Sequence, residues 1–99
     1  MEKRAVFHPE AEAEYLAAVQ YYADKNVSVG ERFDAEIRRL VAQIETMPHR
    51  HGPWRNGTRR ARAGRFPYLV IFVERPTVLR IVAIAHTRRQ PDYWMQRLS

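Results

Sequence analysis

Apolar residues in the first half of the chain recur at helical spacing. Ala11, Tyr15, Ala18, Val19 and Tyr22 share one face of a 3.6-residue turn. His8-Pro9-Glu10 supplies the start of that helix, with Pro at the first helical position and acids in the first turn. Asp24-Lys25-Asn26-Val27 interrupts the pattern. Ser28-Val29-Gly30-Glu31 then has the form of a capping box. Val29, Phe33, Ile37, Leu40, Val41, Ile44 and Met47 form the next apolar stripe, which Pro48 ends. Two helices with a short link predict an antiparallel αα-hairpin. Lys3 to Phe7, ahead of them, is short enough for an edge strand.

After a loop from Pro48 to Gly57 the period changes. Thr58 to Ala63 alternates, with Arg60 and Arg62 on one face. Tyr68 to Val73 is a continuous β-prone run, the pattern of a strand buried on both faces. Val78 to Ala85 is another strand, with Arg80 its only interior charge. Gly64-Arg65-Phe66-Pro67 and Glu74-Arg75-Pro76-Thr77 read as turns. Pro91 to Leu98 suits a short final helix. The expected fold is α+β in the order β-α-α-β-β-β: an N-terminal strand, the αα-hairpin, then a three-stranded antiparallel meander. The hairpin should cover one sheet face and leave the other partly open and lined by arginines. Residues 1–99 read as a single domain.

Tight turns would set Tyr68 near Ala83, His86 near Arg65, and Arg62 near Tyr68. Arg62, Arg65, His86 and Arg88 would then converge at one end of the sheet. Arg80 should share a strand face with His86, roughly 20 Å away.

Charge changes the picture. The chain has 99 residues, with 17 basic and 11 acidic ones, for a net charge of +6. Residues 1–47 carry 6 basic and 9 acidic residues, net −3, whereas residues 48–99 carry 11 and 2, net +9. All the basic residues of the second half are arginines, planar bidentate ligands for phosphate and carboxylate. Such asymmetry suits a polyanion or an acidic partner. There is no cysteine, so disulfides, thiolate metal sites and cysteine nucleophiles are excluded. No stretch is long and apolar enough to span a membrane, and the N-terminus lacks a signal-peptide core. A cytoplasmic protein is expected.

Chemistry has few places to reside. The only serines are Ser28, in a helix cap, and Ser99. His49 and His51 read as solvated loop residues, and neither a metal nor a cofactor is implied. Arg50, Arg55, Arg59, Arg60, Arg62 and Arg65 form a block without an acid. It reads either as a solvated face or as a binding surface for phosphate or an acidic peptide. Metal-free RNA cleavage would need a base, cations and an acid. His86 would be the base, Arg62 and Arg88 the cations, and Tyr93 the acid or a stacking platform. The alternatives are a structural hydrogen bond for His86 and tail packing for Tyr93 and Trp94. Trp54 would anchor its loop or face a partner.

Several segments resemble the RelE/ParE superfamily of toxins from type II toxin–antitoxin modules, especially the ParE-like branch described as plasmid stabilisation proteins. They are Phe7-His8-Pro9-Glu10-Ala11, Gly30-Glu31-Arg32-Phe33, Met47-Pro48, Arg62 to Tyr68, and His86 to Trp94. The resemblance implies the same fold and an antitoxin partner that is acidic and partly disordered before binding, joined in a hetero-oligomer. It also implies one of two targets. RelE-like members cut messenger RNA on the ribosome without a metal, and ParE-like members inhibit DNA gyrase. The ribonuclease branch's basic residues resemble Arg60, Arg62 and Arg88, and its tyrosine resembles Tyr93. Its arginine on the next strand falls on Leu69, which cannot stabilise a phosphorane. This favours a ParE-like, non-enzymatic inhibitor over an mRNA interferase, with a non-toxic basic binding module as a third reading. Partner contacts are expected from Arg59, Arg60, Arg62, Arg65, Arg80, Arg89, Trp54 and Trp94.

Overall fold

A computed structural model describes residues 2–99. The order is β1 (Arg4–Phe7), α1 (Pro9–Lys25), α2 (Val27–Thr46), β2 (Arg59–Arg62), β3 (Tyr68–Glu74) and β4 (Val78–His86). Short 3-10 turns occupy Pro48–Arg50, Arg55–Gly57 and Met95–Leu98, the last in place of the expected final helix. The α+β order is the expected one. The sheet runs β1-β4-β3-β2. Its meander is antiparallel, but β1 pairs parallel to β4, so the sheet as a whole is mixed.

Asn26 alone joins the helices. Its N–H donates to Tyr22 O and closes α1, while its side-chain oxygen accepts from Ser28 N and opens α2. Asn26 therefore displaces the expected Ser28 cap, whose own hydroxyl donates to the same oxygen. Phe33, Ile37, Leu40 and Ile44 are buried as the stripe predicts, whereas Met47, just past the helix end, is exposed. The hairpin packs on Val70, Phe72, Leu79, Ile81 and Ile84 of the sheet. Tyr22, Phe33, Phe66 and Tyr68 close one end of this core in mostly edge-to-face contacts.

The opposite face is less open than expected. Ile71, Val73, Val82, Ala83 and Ala85 form a second core under Trp94, which is 2 % exposed. Burial on both faces explains the unbroken apolar run of β3.

The strand registers differ from the expected ones. Tyr68 pairs with His86 and Leu69 with Ala85, because β3 runs on to Glu74 and the turn closes from Arg75 to Val78. Arg62 pairs with Leu69, not Tyr68. The partner of Ile71 is Ala83 but that of Phe72 is Ile81, which leaves Val82 as the extra residue of a β-bulge. Val82 and Ala83 consequently both face the second core. The bulge reverses the alternation, so Arg80, across from Val73, and His86, across from Tyr68, lie on opposite faces. The shared face expected for them is thus corrected.

The bulge lies where β1 ends. Beyond Phe7 the outer edge of β4 is closed by side chains instead of a strand. Glu14 accepts from Ile84 N at 3.0 Å, and Arg97 Nη1 donates to Val82 O at 3.1 Å.

Candidate functional site

Arg60 and Arg62 alternate with Ala61 on β2 and so share the second-core face with Ile71 and Leu69, their partners on β3. The next strand places Ala85 beside Leu69, and His86 ends it. The chain then turns through Thr87–Pro91 and returns as the tail. These residues enclose a concavity of about 270 Å³. Leu69, Ile71 and Ala85 line it, as do Trp54, Arg60, Arg62, His86, Arg89 and Tyr93, and no carboxylate does.

Two of its guanidiniums rest on aromatic rings. Arg60 lies 3.8 Å from the centroid of Trp54, and Arg89 lies 3.8 Å from that of Tyr93. Arg62 is exposed and turns its Nε toward Gly64 O at 3.3 Å.

Arg88 N donates to His86 Nδ1 at 3.0 Å. In the neutral ring this makes Nε2 the N–H donor and leaves no lone pair free. The Tyr93 hydroxyl donates to Glu14 Oε2 at 2.8 Å. Burial, reinforced by this bond and the Glu14 charge, pushes its pKa well above the ordinary tyrosine value.

The other expected residues are dispersed. Arg65 lies on the far side of the turn, with Arg32 and Glu36 of α2. Arg88 is exposed and contributes its backbone to the His86 contact. Arg59 donates to His51 O at 2.6 Å and so anchors the loop. Arg80 lies in the first half of β4, with its Nε buried and unbonded. The expected convergence of Arg62, Arg65, His86 and Arg88 is therefore corrected to Arg60, Arg62 and Arg89, with His86 at the rim, its ring edge-on to Tyr68 on the helix-side face. Trp94 is buried against the second core, where it packs the tail, and its edge lines the base of the concavity. The two loop histidines are not simply solvated. His49 Nε2 lies 2.7 Å from Glu74 Oε1, and the half-buried His51 packs edge-on against Phe72. Among the described residues, no group of three or more His, Asp or Glu could hold a metal ion.

The sequence matches the family described as ParE toxin of type II toxin-antitoxin system, parDE, over residues 5–91. The chain belongs to the ParE toxin family. The match takes in both helices, β2 to β4, β1 from Ala5 onward, and the rim of the concavity up to Pro91. No match was found among curated proteins. This ParE-family chain is thus a toxin of the type II toxin–antitoxin class, for which an antitoxin partner is implied. Among its described residues, no helix is long and apolar enough to cross a membrane.

Sequence reasoning missed Glu14 and Arg97, which hold the tail wall in place. Arg97 Nη1 and Nη2 reach Glu14 at 3.0 and 3.1 Å. Arg97 Nε is 3.3 Å from Glu10 Oε2 but out of hydrogen-bond alignment. A signal for Glu14 was present: it lies between the buried Ala11 and Ala18 at helical spacing, so it faces the sheet. Asp92 was also missed. It accepts from Arg55 Nη1 and Asn56 Nδ2 at 3.2 and 3.3 Å, linking the Trp54 loop to the tail.

Proposed function

We propose that this ParE-family chain arrests growth by binding a protein target, DNA gyrase, and that a cognate acidic antitoxin neutralises it. The observation that carries this reading is the engagement of the two groups that RNA cleavage would need. The lone pair of His86 Nδ1 is taken by Arg88 N–H, and the Tyr93 proton is held by Glu14. A neutral imidazole without a free lone pair abstracts no proton, and a phenol held above its normal pKa by burial and a neighbouring carboxylate is a poor acid. Leu69 stands among the arginines where a further cation would be needed. The RNA-cleaving alternative retains only the arginines.

Induced expression with separate readouts tests the proposal. Plasmid supercoiling should fall while pulse-labelled translation continues during the first minutes. Immediate translational arrest with cut, ribosome-bound transcripts would establish the RNA-cleaving alternative instead. Harmless expression without an antitoxin would remove the toxic activity altogether.

A further inference from the structure

The chain has two asparagines in contrasting settings. Asn26 precedes the branched Val27 and is held in the helix link. Asn56 precedes Gly57 and is exposed. Thr58 N donates to Arg55 O at 3.2 Å and closes a turn around this pair. Asn56 and Gly57 both take positive φ there, 59° and 76°. That backbone is the one a type I′ turn uses, and Asn-Gly is the dipeptide it favours. The local fold therefore selects an asparagine followed by a glycine.

The same pair is open to attack by its own backbone. Gly57 has no Cβ to shield its amide nitrogen, and no other atom lies within 4 Å of where one would stand. Once hydroxide removes its proton, that nitrogen can attack Asn56 Cγ. The N–Cγ bond forms, the Cγ–Nδ2 bond breaks, and the leaving nitrogen takes a proton from water and departs as ammonia. Water then opens the resulting cyclic imide at either carbonyl, which leaves aspartate or its β-linked isomer. Nothing is oxidised or reduced, and water is the only other reactant.

Asn56 is also one half of a clasp. Its Nδ2 donates to Asp92 Oδ1 at 3.3 Å, and Arg55 Nη1 donates to Asp92 Oδ2 at 3.2 Å. The clasp ties the turn after Trp54 to the residue before Tyr93, the two rings on which Arg60 and Arg89 rest. We infer that Asn56 is a self-modification site, converting through the imide to aspartate and isoaspartate, and that the product opens this clasp. The amide donor becomes a carboxylate facing the Asp92 carboxylate, so attraction turns to repulsion, and Arg55 must then serve two anions. The isoaspartate product also lengthens the main chain of the turn by one atom. Until conversion the clasp guards the site, because imide closure requires the Asn56 side chain to leave Asp92.

The test is incubation of the full chain at mildly alkaline pH, followed over time by peptide mass spectrometry. The peptide holding Asn56 should gain the mass of an amide-to-acid exchange and split into two chromatographic products. The peptide holding Asn26 should stay unchanged. A capped peptide, Trp-Arg-Asn-Gly-Thr-Arg, should react several-fold faster than the folded chain. Asp92→Gly, which accommodates the φ of 72° at that position, should close most of this gap. Asn56→Asp presents one product directly. Its tail amides from Thr87 to Leu98 should exchange hydrogen several-fold faster than those of Asn56→Gly, which loses the hydrogen bond but adds no charge. Added salt should narrow that difference. An Asn56 still unmodified in the folded chain and in Asp92→Gly after the capped peptide has fully converted would overturn the modification site. Equal tail exchange in Asn56→Asp and Asn56→Gly would overturn the opening of the clasp.

Discussion

Glu74 shows how far a single side chain depends on its setting. It ends β3 between Lys3 Nζ at 2.8 Å and His49 Nε2 at 2.7 Å. Its hydrogen bonds to these two groups, Lys3 first, lower its pKa from 4.5 to about 2. A carboxylate depressed on folding adds stability above its unfolded pKa and loses it as pH falls through the folded value. Unfolding midpoints in urea should therefore drop as pH falls from 4.5 to about 2. Glu74→Gln should flatten this part of the profile, and an unchanged profile would show the cluster to be without effect. Lys3 and His49 reach Glu74 from distant parts of the chain, so no local pattern announces the group. Leu69 is the contrary case. Its lack of charge was readable as a departure from the ribonuclease pattern, and it lies on the floor of the concavity. Tyr93 and His86 were readable as residue types only. What commits them is a carboxylate on α1 and a backbone N–H past the strand end.

The helices and strands followed from periodicity because amphipathic spacing is a local property. Their ends did not, because caps compete. Asn26 and Ser28 both qualify as caps, and the geometry of a one-residue link selects Asn26. This link brings the helices so close that a Cβ on Gly30 would stand 2.7 Å from Ala23 Cβ. Gly30→Ala should thus destabilise the fold by about 1–3 kcal/mol through overpacking. That would outweigh the gain of about 1 kcal/mol expected from helix propensity. Equilibrium urea unfolding measures the difference, and a stabilised variant would show that the helices separate freely. The bulge at Val82 was equally hidden. One extra residue in an apolar run leaves no mark on composition, yet it turns Arg80 and His86 to opposite faces.

The tail is held across the whole molecule. Glu14 on α1 accepts from Ile84 N, from the Tyr93 hydroxyl and from Arg97, while Arg75 Nη2 donates to Leu98 O at 2.8 Å. These bonds hold Trp94 over the second core and place Tyr93 and Arg89 on the wall of the concavity. Glu14→Gln removes the charge that Arg97 faces, and loss of about 2 kcal/mol is expected for such a partly buried pair. Iodide quenching of native-state tryptophan fluorescence should rise as Trp94 becomes accessible. Unchanged quenching with reduced stability would mean that the tail docks by apolar contact alone.

Amphipathic spacing and the charge division between the halves were enough to specify the hairpin, the meander and the basic half, since each is written in neighbouring residues. Which arginines gather, which face His86 takes and whether Tyr93 is free were decided only by the tertiary structure. Those outcomes depend on strand register, on one bulge, and on contacts between residues as far apart in the chain as Glu14 and Arg97.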